Sequence, residues 1–187
     1  MLEQEYRYEV SEENIKKIKE ICSELETTER QIDLTLGYLG FNSLEKYGYV
    51  CRVRQKGNKT WMEIKTRVDD YTFNEVEIPI NDFNKGVEFF KAIGMTPYLY
   101  MNRSREILEY KNLKIFIDDI ELLGKFIEIE FHDVQNASKN IESFLSITKI
   151  CSEKRPLYGD IFKHKIETNQ KFRIEFEEFL DKFLKEN

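Results

Sequence analysis

Charged residues recur in this chain in pairs spaced two apart. They are Glu3/Glu5 with Arg7, Arg52/Arg54, Glu63/Lys65, Glu75/Glu77, Arg103/Arg105 and Glu128/Glu130. On a β-strand that spacing puts both members on one face. One such pair carries little information, because with 34% charged residues roughly one i,i+2 pair in nine is doubly charged by chance. The setting of the pairs carries more. Most are of like charge, and the residues on the other face, Val53, Ile64, Val76, Ile127 and Ile129, are apolar. If the charged faces point into a closed sheet, acidic strands gather carboxylates in one patch and basic strands gather cations in another. Carboxylates are hard oxygen ligands for Mg²⁺ or Mn²⁺. Arginine and lysine match phosphate oxygens. Together they describe a site for a metal-bound polyphosphate. The same pattern also describes an open sheet with one face on a core and the other in water, laced by cross-strand ion pairs. Periodicity alone leaves both readings standing.

The elements that must position these pairs are short and mostly β-like. Residues 2–10 alternate Gln4, Tyr6 and Tyr8 with Glu3, Glu5, Arg7 and Glu9, a strand period. Ser11 stands where a helix N-cap would, and Ile15, Ile18, Cys22 and Leu25 follow at helical spacing. Strands are expected within 31–40, 47–55, 60–68 and 72–80, with hairpin signals at Gly57-Asn58 and Asp69-Asp70. Asp82 can cap a helix through Phe83, Val87, Phe90 and Ile93, closed by Gly94. Strands near 98–109, 112–120 and 125–132 follow, then a helix at 137–147. Phe172, Phe176, Phe179, Leu180, Phe183 and Leu184 mark an amphipathic helix over 167–185. About eight hairpin-linked strands predict an α+β chain: a closed antiparallel sheet with helices outside.

Bulk properties set bounds. A chain of 187 residues with 41% hydrophobic residues suits one domain with a substantial core. A net charge of −6 argues against a general binder of nucleic acid or anionic membrane, while leaving room for a local basic cavity. Charges interrupt every apolar run, so no membrane span is expected. The first ten residues read as a strand and lack the pattern of a secretory signal. Cys22, Cys51 and Cys151 are odd in number and far apart, which fits free thiols in a reducing cytoplasm.

The charged pairs are also where a family resemblance appears. Glu3-Gln4-Glu5-Tyr6-Arg7 resembles the ExExK signature of the CYTH superfamily, which includes class IV adenylate cyclases, thiamine triphosphatases and inorganic triphosphatases. In order along the chain, Gln31-Ile32-Asp33 resembles its QxD, Arg52-Val53-Arg54 its LRxR and Ile64-Lys65 its lysine strand. Glu75-Val76-Glu77 resembles its ExE, and Arg103-Ser104-Arg105 its KxR. Asp118 followed by Leu123-Gly124-Lys125-Phe126-Ile127-Glu128-Ile129-Glu130 resembles its D…LGxFxEIE. Tyr158-Gly159-Asp160-Ile161-Phe162 echoes its late SYxxLL. The resemblance implies an eight-stranded antiparallel tunnel over residues 1–162, with the C-terminal helix beyond it. It implies a divalent metal, Mg²⁺ or Mn²⁺, held by Glu3, Glu5, Glu128 and Glu130 with Glu75 and Glu77. It implies phosphates clamped by Arg52, Arg54, Lys65, Arg103 and Arg105, and reaction-centre roles for Arg7, Lys65 and Asp118. Arg7 and Arg103 replace lysines of the family pattern, a change of shape at constant charge. Phe73 and Asn74 stand where a basic residue often precedes the ExE.

Other motifs weigh less. The sequence holds no GxxxxGK, HExxH or GxGxxG. His132 and His164 share no metal-ligand spacing and read as structural or surface residues. Cys51 reads as core, and the phenylalanine stripe as packing against the tunnel, with a homodimer interface as the alternative. The expected function is a metal-dependent triphosphatase, acting on inorganic triphosphate first, with thiamine triphosphate and nucleoside triphosphates behind it. A class IV adenylate cyclase on the same scaffold, or a non-catalytic polyphosphate-binding module, are the alternatives. The partner in each case is a small triphosphate-containing molecule.

Overall fold

The computed structural model describes residues 2–131 and 134–186, without the side chains of residues 2, 3, 27 and 134–136. His132 and the side chain of Glu3 therefore lie outside the described residues. Strand β1 (Leu2–Glu9) leads into helix α1 (Glu12–Ile21). The Ser11 hydroxyl accepts from the Asn14 backbone N–H at 3.2 Å, and the Asn14 side chain accepts from the Ser11 N–H at 2.9 Å, a reciprocal cap that fixes the helix start. The spacing of Cys22 and Leu25 predicts a longer helix, but Cys22 is already extended, at φ −103° and ψ 151°. From there the chain enters β2 (Ser23–Gly37), where β-branched Thr27 and Thr28 favour a strand. Leu25 is left exposed as a result.

A 3-10 turn (Gly40–Asn42) and a short helix α2 (Ser43–Tyr47) join β2 to β3 (Tyr49–Lys56). A tight turn with Gly57 at φ 55° leads to β4 (Lys59–Arg67), and β5 (Thr72–Ile80) follows. Asp82 caps α3 (Phe83–Ala92) by accepting from the Lys85 N–H at 3.1 Å. Then come β6 (Thr96–Tyr110), β7 (Leu113–Ile120), β8 (Gly124–Phe131) and α4 (Val134–Thr148). The tail holds the helix expected over 167–185 and a further helix before it. It forms α5 (Tyr158–Thr168) and α6 (Gln170–Glu186), broken at Asn169, which is extended and caps α6 by accepting from the Phe172 N–H at 3.1 Å. Residues 158–162 thus belong to a helix and not to a strand, and Tyr158, Gly159 and Asp160 of that helix line the tunnel cavity.

The eight strands close into one antiparallel barrel in the order β1-β5-β4-β3-β2-β6-β7-β8. Arg52 faces Glu63 across β3–β4, Lys65 faces Glu75 across β4–β5, Gln31 faces Arg103 across β2–β6, and Glu5 faces Glu130 at the β1–β8 seam. This register turns the charged pairs inward wherever their side chains are described. The apolar core consequently lies outside the barrel, between strands and helices. Tyr8, Ile115, Ile127 and Ile129 pack with Ile18 of α1 and Ile141 and Phe144 of α4. Leu34, Leu36 and Val53 meet α3 and Phe183 of α6. Leu99, Ile120 and Phe126 are different: they share the inner face with Arg103, Asp118 and Glu128 and meet α5 and α6 at one end of the barrel. The phenylalanine stripe is therefore packing: Phe183 stacks on Tyr100 with ring centroids 3.9 Å apart. Ile64 and Val76, expected on a packed face, are exposed together with Ile78. Helix α3 lies over β3 and β4 and leaves that part of the outer sheet uncovered.

Candidate active site

The tunnel has two unlike walls. The basic wall is formed by β3, β2 and β6. Arg52 and Arg54 project from β3, and Arg103 and Arg105 from β6. Between them β2 contributes Asp33, which is 1% exposed. Arg54 Nε donates to Asp33 Oδ1 at 2.8 Å, Arg103 Nη2 to Oδ2 at 3.2 Å, and Gln31 Nε2 to Oδ2 at 3.1 Å. Arg52 Nη1 lies 3.5 Å from the same carboxylate. Burial alone would raise the Asp33 carboxyl, but the guanidiniums of Arg54, Arg52 and Arg103 outweigh it and hold the group well below the usual range.

Asp118 of β7 supports the other end of this wall. Arg105 donates to it through Nε at 2.7 Å and Nη2 at 2.6 Å, Arg103 Nη1 at 3.4 Å and the Tyr158 hydroxyl at 2.9 Å. The two-pronged Arg105 contact fixes the plane of its guanidinium. Glu63 of β4, 1% exposed, accepts from Arg52 and lies 3.2 Å from Arg54 Nη1. Each arginine is thus aimed by a buried acid behind it.

The acidic wall runs over β8, β1 and β5. Arg7 bridges Glu5, at 2.6 Å from Nη2, and Glu128, at 2.6 Å from Nε. Lys65 bridges Glu5 at 2.7 Å and Glu75 at 2.5 Å. Burial would raise the Glu5 and Glu128 carboxyls. Arg7 with Lys65 in the first case, and Arg7 with Arg105 in the second, reverse the sign and keep both ionised. Glu77 goes the other way: burial, then the neighbouring Glu63, raise it. One carboxylate oxygen each from Glu63, Glu75 and Glu77 lie within 4.8 Å of one another, and Glu63 Oε2 is buried without a hydrogen bond. Such a set of hard oxygen donors fits a divalent cation.

One cavity of about 410 Å³ lies between the walls. It is lined by Glu5, Arg7, Arg52, Arg54, Lys65, Glu75, Glu77, Arg103, Arg105, Glu128 and Glu130. Two of the expected site residues are not among these. The Glu3 side chain lies outside the described residues, although its backbone pairs with Phe73. Asp118, expected beside the reacting group, is wholly buried behind Arg103 and Arg105. The sequence reading placed Asp33, Glu63 and Tyr158 in motifs but assigned none of them a role in the site. The signal for the first was present: Asp33 shares with Gln31 and Thr35 the strand face opposite Ile32, Leu34 and Leu36, and an acid on an enclosed face is expensive to bury without cations beside it. Cys51 is on the outer face, 2% exposed, where burial pushes its thiol up to about 11. Its thiol is absent from the cavity lining.

A family model of the CYTH domain matches residues 1–157. A Methanocaldococcus jannaschii protein provisionally named an adenylate cyclase is 32% identical over 99 residues. That match spans 52% of this chain and about half (53%) of the relative. Among solved structures, a Pyrococcus horikoshii protein superposes with a TM-score of 0.75 at 24% identity, over 87% of this chain and 99% of its own. An adenylyl-cyclase-like protein of Hippeastrum, described as having a dominant triphosphatase activity, superposes with a TM-score of 0.60 at 16% identity, over 80% and 88%. At these identities the two structures speak to the fold. With its inward-facing charges, its closed eight-stranded barrel and a family match over most of its length, this chain belongs to the CYTH domain family.

Proposed function

We propose that this chain is a divalent-metal-dependent enzyme that hydrolyses triphosphates. The observation that carries the reading is the opposition of an arginine wall and a carboxylate wall across one cavity inside the barrel. A polyphosphate chain needs dense cationic contact on its oxygens, and guanidiniums held in fixed orientation supply it without reorganisation. Arg52, Arg54, Arg103 and Arg105 are assigned to those oxygens, and Lys65 joins them from the facing side. Asp33, Asp118 and Glu63 serve as their anchors. Glu5, Glu75, Glu77, Glu128 and Glu130, with Glu63 behind them, are the residues that would hold Mg²⁺ or Mn²⁺. When bound, such a cation neutralises phosphate oxygens and lowers the pKa of a coordinated water. Arg7 spaces Glu5 from Glu128 and keeps both ionised. The phosphoryl group then passes to water along a line fixed by the arginines, with its developing charge spread over their N–H groups.

A second reading, cyclisation of ATP with release of pyrophosphate, is favoured by the name of the archaeal relative. A product-resolved assay separates the readings. Inorganic triphosphate, thiamine triphosphate, ATP and GTP are each incubated with Mg²⁺ or Mn²⁺. Orthophosphate release is the expected result. Cyclic nucleotide with pyrophosphate would replace hydrolysis by cyclisation, and metal-independent or absent turnover would leave a binding module in place of an enzyme.

A further inference from the structure

We infer that Tyr158 is a positioning residue: its ring orients the guanidiniums of Arg7 and Arg103, one from each wall of the tunnel. This deepens the triphosphate reading above by naming the group that sets the direction of two of its cations. Arg7 of β1 and Arg103 of β6 stand where the family pattern has lysine. The structure brings both to one aromatic ring. The Arg7 guanidinium carbon lies over the Tyr158 ring at 5.1 Å from its centroid, and that of Arg103 at 5.9 Å. Both distances are inside the ~6 Å reach of a cation over a ring face. The two departures from the pattern thus meet at the residue that directly follows the matched span 1–157.

Lysine would not use this ring in the same way. An ammonium is a compact, strongly hydrated charge, whereas a guanidinium is flat, weakly hydrated and lies against an aromatic face. Arg7 is 5% exposed and Arg103 3%, so little water is left to solvate either. Arg7 has two short contacts, to Glu5 and Glu128. Arg103 is held less firmly. Its acids stand at 3.2 Å and 3.4 Å, beyond the ~2.7–2.9 Å of a strong charge-assisted bond, and its Nε is buried without a hydrogen bond. The direction of Arg103 therefore depends on what packs against it. The ring itself is fixed: the Tyr158 hydroxyl donates to Asp118 at 2.9 Å, and the Phe126 ring meets it edge to face at 5.5 Å. Tyr158 opens α5 and lines the cavity, so a helix outside the barrel supplies a surface inside it. An aliphatic side chain of equal bulk would fill the space and offer neither guanidinium a negative face.

A graded series on the full chain tests this. Tyr158→Phe removes the hydroxyl and keeps the ring. Phenylalanines bearing one, two or three ring fluorines at position 158 then weaken its negative face at nearly constant shape. Two readouts are taken: urea denaturation, and calorimetric binding of inorganic triphosphate with Mn²⁺. Tyr158→Phe is expected to hold triphosphate affinity within about threefold of the wild type. Along the fluorine series the denaturation midpoint should fall stepwise, and the affinity should drop by about fivefold or more at its end. In an Arg103→Gln background, which keeps a planar head without the charge, the dependence on fluorine should shrink by about half or more. A packing role alone would leave both readouts level along the series, and that result would overturn the proposal. So would a Tyr158→Phe loss as large as that of the trifluorinated ring, or a slope undiminished by Arg103→Gln. A wild type that binds no triphosphate would overturn the triphosphate reading instead, while the denaturation series still decides the role of the ring.

Discussion

The two walls of the tunnel hold similar numbers of charges and differ in what neutralises them. On the basic wall, every arginine is met by a carboxylate behind it: Asp33, Asp118 or Glu63, each 1% exposed or less. Asp33 and Asp118 make no demand on the cavity, while Glu63 also approaches the carboxylates of Glu75 and Glu77. On the acidic wall the neutralising groups, Arg7 and Lys65, lie in the cavity beside the carboxylates they serve. The first wall is therefore finished by folding. The second is held in place by cations that an incoming metal ion or phosphate would compete with. Pre-organisation on one side and exchangeable partners on the other is what a site needs if it is to bind anions rigidly and metal reversibly.

The largest effect should come from removing an anchor of the finished wall. Asp33→Ala leaves three guanidiniums facing one another, and is expected to cost about 3–5 kcal/mol of stability, read from urea denaturation. A loss below about 1 kcal/mol would show that the arginines do not depend on it. The exchangeable wall should behave oppositely. In the double variant Glu5→Gln/Glu130→Gln, Arg7 keeps Glu128 and Lys65 keeps Glu75, so the fold should persist while Mn²⁺ affinity drops by about tenfold or more. Unchanged Mn²⁺ affinity would remove these two from the ligand set.

The pH dependence of stability should follow the same division. Asp33, Glu5, Glu63 and Glu128 have folded pKa values below their ordinary ones of 3.8 or 4.5. Groups shifted downward add stability above the unfolded pKa and lose it as pH falls through the folded value. Thermal denaturation should therefore show a Tm nearly level from neutral pH to about 5, and a steep fall beginning near pH 4. A Tm that rises on acidification would contradict this sign. The smallest effect concerns Arg7, which touches both walls through Glu128 and its position 5.1 Å from the Tyr158 ring centroid. Arg7→Lys keeps the charge but spans the two carboxylates less well. Triphosphate affinity should change by less than about threefold while the turnover rate shifts, whereas Arg54→Ala should lower both by about tenfold or more. Equal losses of affinity in the two variants would make Arg7 a clamp like the rest.

The walls were unequally legible in the sequence. The paired charges announced themselves because a strand repeats every two residues, and the hairpin turns fixed their order. The anchors did not, because each is single: Asp33 and Asp118 gain meaning only when β2 is placed between β3 and β6, and β7 beside β6. Glu63 was noticed as a partner of Lys65, not as the residue behind Arg52. The start of β2 was hidden by Cys22 and Leu25, which continue a helical spacing by coincidence while Thr27 and Thr28 decide the backbone. Helix α5 was hidden because Tyr158-Gly159 reads locally as a turn. Its burial against Phe126, at 5.5 Å between ring centroids, is a tertiary effect. The apolar part of the cavity lining, Phe41, Leu44, Val50, Leu99 and Leu157, could not be read at all, since it comes from five separate segments.

The seam between β1 and β8 sets the order in which all of this can form. It joins residues 121 positions apart, as in the contact of Arg7 with Glu128. Arg155 closes over it by donating its N–H to the Arg7 carbonyl at 2.8 Å. Strand β1, the earliest of the eight strands along the chain, must therefore wait for the last strand before its inner face is enclosed. Contacts of such sequence separation make folding slow. Until closure, the inward-facing charges remain in water, where like charges cost little and discourage association of unfinished sheets. The repulsion that would burden an empty tunnel protects the growing chain, and the tunnel and its electrostatic contrast come into existence in a single late step.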